Sequence, residues 1–200
     1  MSEILYFNLW DHSGAHISGD AYRQLIEYCF AHCASLSLSF HGKNDLKEYL
    51  AELLPFTSLS LSPNILSKKD GIVWLQHKNF YSLSDDLRDF LLRESQSLFD
   101  WKFSGTKAIP EPEDLCFYRE DGSGMFWSCT HEGECAFFLR EGEERPAFAS
   151  NKGWELLEAD HPYYEGFVEL AQELKVESGS EKCTEDGLVC SGFTTRISIE

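Results

Sequence analysis

The sequence predicts an α+β domain: a mixed or mainly antiparallel sheet with about four helices on one face and a meander in the C-terminal half. Three observations predict it. Apolar or alternating runs and helical apolar stripes take turns through the first half of the chain. Strand-like runs then follow one another between Leu115 and Arg140, separated by glycine-bearing turns. Hydrophobic residues make up 42% of the 200 residues and aromatics 14%, enough for one good-sized core and too many for a disordered chain.

The elements can be justified in order. Residues 4–10 are a continuous apolar run and predict a buried strand, followed by a polar loop over 11–19. Asp20 is placed to cap a helix on which Tyr22, Leu25, Ile26, Cys29, Phe30 and Cys33 form one apolar stripe. Leu36, Leu38 and Phe40 alternate with serines, the pattern of a half-exposed strand. Asn44 opens a second helix, with Leu46, Tyr49, Leu50, Leu53 and Leu54 on one face, and Pro55 stops it. Leu59 and Leu61 alternate with serines before a turn at Ser62, Pro63 and Asn64. Residues 72–75 predict a short strand. Ser84 begins a third helix, with Asp85 and Asp86 where the helix dipole favours anions and Leu87, Phe90 and Leu91 buried.

Pro110 and Pro112 make a rigid joint, read as a loop across one sheet rather than a domain boundary. Strands over 115–119, 125–130 and 135–140 form the meander, with Gly122 and Gly124 in its first hairpin turn. Asp160 or His161 caps a last helix with Pro162 near its start and Tyr164, Phe167, Val168, Ala171 and Leu174 on its apolar face. Residues 1–176 are thus read as one domain. Residues 177–200 are read as an acidic, mobile tail in which 193–199 can return as an edge strand.

Charge narrows the function classes. The net charge is −17, unevenly spread: residues 1–110 hold 13 acids and 10 bases, residues 111–200 hold 21 acids and 7 bases. Such a field repels phosphate, which argues against nucleic-acid and anionic-membrane partners and suits a basic protein partner. The start of the chain lacks the basic, apolar and small-residue order of a secretion signal, and no stretch is long and apolar enough to span a bilayer, so a cytoplasmic protein is expected. The seven cysteines are an odd number without disulfide-framework spacing, and are read as reduced thiols, mostly in the core.

Catalytic templates fit poorly. Thr130-His131-Glu132 begins like a zinc-protease helix, but Cys135 stands where the second histidine belongs and Gly133 opposes a helix. Cys129, His131 and Cys135 carry donors that suit zinc, in a spacing that matches no standard structural site. Cys129 beside His131 is the one local thiol–base pair, and Glu132 and Glu134 would raise its pKa rather than lower it. His12 and His16 share a glycine-containing loop. No phosphate-cradling glycine motif occurs. No catalytic residue, metal or cofactor is therefore expected, and a non-enzymatic binding protein is favoured. The alternative is a small metal- or thiol-dependent enzyme centred on Cys129, His131 and Glu132. The expected partner-binding residues are Trp154, Tyr163 and Tyr164 as aromatic anchors, rimmed by Glu155, Glu158, Asp160 and Glu165.

The run from Pro112 through Glu113, Asp114, Leu115, Cys116, Phe117 and Tyr118 to Arg119, then Gly124, Phe126 and Trp127, then Thr130, His131 and Glu132, resembles a pattern in small uncharacterised bacterial proteins. In these an EDLCFYR strand and hairpin precede a THE segment. Some of them resemble immunity proteins of bacterial toxin systems, which are small and acidic. The resemblance covers about 25 of the 200 residues. It implies a bacterial cytoplasmic protein that masks a toxin, and brings no catalytic residue with it.

Overall fold

The first strand sets the architecture. Ile4, Leu5, Tyr6 and Phe7 are all buried, so both faces of β1 (Glu3–Asn8) are covered. In a strand, neighbouring side chains point to opposite faces. Leu5 and Phe7 accordingly enter one hydrophobic cluster, and Ile4 and Tyr6 a second one.

The structure is a computed structural model, and it describes residues 3–11, 15–41, 53, 55–56, 58–69, 72–99, 112–150 and 153–176. After β1 come α1 (Asp20–His32), β2 (Ser35–His41), β3 (Ser58–Lys69), β4 (Ile72–Ser82), α2 (Asp85–Glu94), β5 (Pro112–Tyr118), β6 (Gly124–Cys129) and β7 (Glu134–Leu139). A 3-10 turn (Ala147–Ser150), β8 (Trp154–Leu156) and α3 (Tyr164–Glu173) follow. The eight strands form one sheet in the order β3-β4-β2-β5-β6-β7-β1-β8. Every ladder in it is antiparallel. The α+β class and the meander β5-β6-β7 match the sequence expectation. The sheet also takes strands from both sides of the Pro110–Pro112 joint, pairing β5 with β2.

Helices lie on both faces, not on one. Tyr22, Leu25, Ile26 and Cys29 of α1 and Leu87, Phe90 and Leu91 of α2 pack with Leu36, Leu38, Phe126 and Phe137 on the first face. Phe167 and the partly buried Tyr164, Val168 and Ala171 of α3 pack with Ile4, Tyr6, Tyr118 and Phe138 on the second. Two-sided cover also explains β2. Its serines Ser35, Ser37 and Ser39 are as buried as Leu36 and Leu38, so the strand is central rather than half-exposed. The cost of burying a hydroxyl is met where partners exist: Ser37 Oγ lies 3.0 Å from Tyr118 Oη.

Other local expectations move. Pro63 sits inside β3, opposite His77, and the β3-β4 pairing runs on to Lys69 and Ile72, so β4 is longer than the short strand expected. Among the described strands β3 is the sheet's edge, where a residue without an N–H is tolerated. Ser84 does cap α2, accepting a hydrogen bond from the Leu87 N–H at 3.2 Å. Asp20 is instead the first helical residue after Gly19, whose φ of 57° favours glycine. Neither Asp160 nor His161 caps α3; Tyr163 holds that position without a side-chain cap bond. Three α-helices occur among the described residues. The further helix expected behind Asn44 falls almost wholly on residues 42–52, outside them, as do the tail 177–200 and its edge strand. No helix among the described residues is long and apolar enough to cross a membrane.

The hairpin β5-β6 anchors the end of α3. Val176 N–H donates to Gly122 O at 2.7 Å and Gly124 N–H to Leu174 O at 2.6 Å. A Cβ on Gly124 would stand 2.2 Å from Leu174 Cδ2, so this close approach requires glycine. Arg119 locks the same corner from below. Its guanidinium donates to Gly124 O, to Phe138 O and to both carboxylate oxygens of Glu143.

Candidate functional site

The α3 face of the sheet carries two polar assemblies, both near the end of β1 and the β6-β7 turn. The first is an acidic, aromatic surface. Tyr6 and Glu155 are register partners across β1 and β8 and so point to the same side. Tyr163 stacks edge-on against Tyr6 with ring centroids 6.5 Å apart, and remains 57% exposed. Its other ring neighbour is His161, at 5.4 Å. Glu155, Glu158, Asp160 and Glu165, in the same segment of the chain, are all exposed. Over residues 153–176, six acids face one base, Lys175.

Of the expected anchors, only Tyr163 is presented to solvent. Tyr164 is half-buried and packs into the cluster under α3. Trp154 turns to the opposite face with its register partner Phe7. There its ring lies among Phe7, Phe137 and Phe148, with centroids 5.5, 5.6 and 5.9 Å away. It belongs to the core under α1 rather than to the acidic surface.

The structure adds Trp10, which the sequence places in a buried run. Its side chain is 72% exposed, and its indole N–H donates to Glu132 O at 2.8 Å. β1 ends at Asn8, so Trp10 falls just beyond the strand, held by its own N–H bond to Asn8 Oδ1. Glu134 holds the side chains that brace the two exposed aromatics, Tyr6 beside Tyr163 and Asn8 beside Trp10. Its carboxylate accepts from Tyr6 Oη at 2.7 Å and from Asn8 Nδ2 at 3.0 Å. Burial first, and then the Glu134 carboxylate, push the Tyr6 phenol well above its ordinary pKa, so it stays a donor. Trp10, Glu132, Glu134 and Tyr163 thus continue the acidic surface onto the β6-β7 turn.

The second assembly is Asp114, Cys129 and His131. Asp114 on β5 and Cys129 at the end of β6 point to the α3 face, and the turn after Cys129 folds the imidazole back over the thiol. One donor atom from each of the three lies within 4.8 Å of the other two. Cys129 Sγ is 3.6 Å from His131 Nδ1, and His131 Nε2 is 3.4 Å from Glu132 Oε1. Asp114 Oδ1 also accepts the Thr130 N–H at 3.2 Å, which fixes the turn on the strand. Cys135 is not a member: it pairs with Ser128, one residue out of phase with Cys129, and is fully buried on the first face.

The electrostatics rule against one chemistry. Burial, reinforced by Asp114, Glu132 and Glu134, pushes the Cys129 thiol up to about 12. A thiol so protonated is a poor nucleophile near neutral pH. Cys29, Cys116 and Cys135 are buried and their thiols raised by desolvation, as packing residues should be. His16 is exposed and His12 lies outside the described residues.

No protein-family model, no curated protein and no solved structure matches this chain.

Proposed function

We propose that the protein is a non-enzymatic binding module that presents its acidic, aromatic surface to a basic protein partner. The observation that carries this reading is Tyr163: a large aromatic side chain more than half exposed, braced by Tyr6, within a segment of six acids to one base. Binding sites commonly combine an aromatic anchor with a charged rim, and tyrosine contributes large contact area with few rotatable bonds. Trp10 supplies a second exposed anchor beyond Glu134. The charge sign selects a cationic partner, by steering and by complementarity. A basic bacterial toxin is a partner of that chemistry, and the resemblance of residues 112–132 to immunity-like proteins favours it; acidic side chains would then stand in for the phosphates of a nuclease's substrate. The raised thiol of Cys129 weighs against the thiol-dependent alternative.

Affinity capture tests the reading with two immobilised baits, the wild-type chain and the charge-reversed E155K/E158K/D160K/E165K variant. The expected result is a basic protein retained by the wild type from lysate of the source cells. It is released as salt rises from roughly 0.05 to 0.5 M, where the Debye length shortens to a few ångströms. The variant should lose that protein, with a roughly 100-fold weaker affinity. Absence of any retained basic protein, or equal retention by the variant, overturns the proposal.

A further inference from the structure

We propose that Asp114, Cys129 and His131 form a binding site for a divalent transition metal of the zinc class. Three observations carry it independently of the acidic surface. The donor set is thiolate, imidazole and carboxylate, the mixture that borderline cations such as Zn²⁺ take. The spacing fits. Zn–S and Zn–N bonds of about 2.3 and 2.0 Å meeting near the tetrahedral angle put sulfur and nitrogen about 3.5 Å apart. Cys129 Sγ and His131 Nδ1 are separated by 3.6 Å. The surrounding shell fits as well. The thiol stands almost equidistant from the two ring nitrogens, 3.6 Å from Nδ1 and 3.8 Å from Nε2, so a turn of the exposed ring is needed to aim Nδ1 at a shared ion; Nε2, now 3.4 Å from Glu132 Oε1, is then left to that carboxylate, the carboxylate–histidine–metal relation that orients an imidazole.

The three ligands come from two adjacent strands and one turn. Asp114 and Cys129 are held by the β5-β6 pairing, and the turn is pinned by the Thr130 N–H bond to Asp114. Half of the His131 side chain is exposed, so the cation has an entry path and a fourth position open to water or to a partner's side chain. Binding releases the thiol proton to solvent and leaves a thiolate–metal bond. Asp114, Glu132 and Glu134 all lie near the thiol and add negative charge that favours a cation there. The sequence pattern hides the site because its third ligand is Asp114, one strand away, rather than Cys135.

The probe is Co²⁺ alone, added to the chelator-treated full chain and followed by absorbance. The expected result is one equivalent bound, with a near-ultraviolet sulfur-to-cobalt charge-transfer band and visible bands of tetrahedral intensity, all displaced by Zn²⁺. C129S should abolish the charge-transfer band. H131Q, at an exposed position that leaves the core untouched, should weaken binding at least 10-fold with an unchanged circular-dichroism spectrum. E132Q should keep the band while weakening binding by roughly 10-fold, as loss of an orienting carboxylate does. A wild-type protein without the band, or a band undiminished in C129S or in H131Q, overturns the proposal.

Discussion

Arg119→Met is expected to destabilise the protein by about 3 kcal/mol, toward the lower end of what breaking a buried ion pair costs, because Glu143 keeps some solvent contact. The Arg119 side chain is 8% exposed and Glu143 27%. The substitution strips four hydrogen bonds at once and leaves the Gly124 and Phe138 carbonyls and the Glu143 carboxylate without their donor. Urea denaturation measures the loss. The double variant R119M/E143Q should recover part of it, since the orphaned charge goes with the partner. The pH dependence has a definite sign. Burial alone would raise the Glu143 pKa, but the Arg119 bonds, the Arg140 N–H and the two positive charges together hold it below the ordinary carboxylate value. A depressed folded-state pKa contributes stability above the unfolded-state value, and that stability is lost as pH falls through the folded-state value. Wild-type protein should therefore lose stability more steeply in acid than R119M does. Equal acid sensitivity would contradict the role given to this pair.

Phe137→Ala is expected to cost about 3–5 kcal/mol, the range for removing a buried aromatic ring and leaving a cavity. Phe137 is fully buried. Its ring meets those of Phe126, Trp154, Tyr28 and Phe148 at centroid distances of 4.7, 5.6, 5.7 and 5.9 Å. It joins β7 to α1, to the 3-10 turn and to β8, so the void cannot close by movement of one neighbour. The midpoint of thermal unfolding should fall by roughly 10 °C for a chain of this length, with loss of near-ultraviolet circular dichroism from the tryptophan. Phe137→Leu should lose less than half as much. A shift of only a degree or two for the alanine variant would mean that the first-face core is not organised around this ring.

Much of the fold is legible in the sequence, and the exceptions share a cause. Apolar stripes at helical spacing locate α1, α2 and α3, and the glycine-bearing turns locate the β5-β6-β7 meander. What sequence alone leaves open is which face each element covers. The Ser-Leu alternation of β2 reads as one dry and one wet face, yet the serines' register partners Phe80, Cys116 and Tyr118 belong to a second cluster, and the serines are buried beside it. The all-apolar run of β1 already implied two covered faces. Pro63 reads as a turn because proline lacks a donor, a property that an edge strand equally accommodates.

The same limit applies to the candidate sites. The acidic segment around Tyr163 is visible as composition, and its exposed position follows from a strand-to-helix loop. Trp154 is two residues from Leu156 and reads no differently from an exposed anchor, but register with Phe7 turns it inward. Trp10 is misplaced in the opposite sense, because β1 ends two residues before it. Asp114 could have been found by pairing β5 with β6, which sets it beside Cys129; Cys135 drops out by the same parity.

The most direct test of the proposed function is the hydrogen-exchange footprint of the captured partner on the protein. Slowed exchange is expected over residues 153–165 and at the 130–134 turn, in a complex whose affinity falls as salt rises. Protection confined to α1 and α2, or an affinity indifferent to salt, would contradict it.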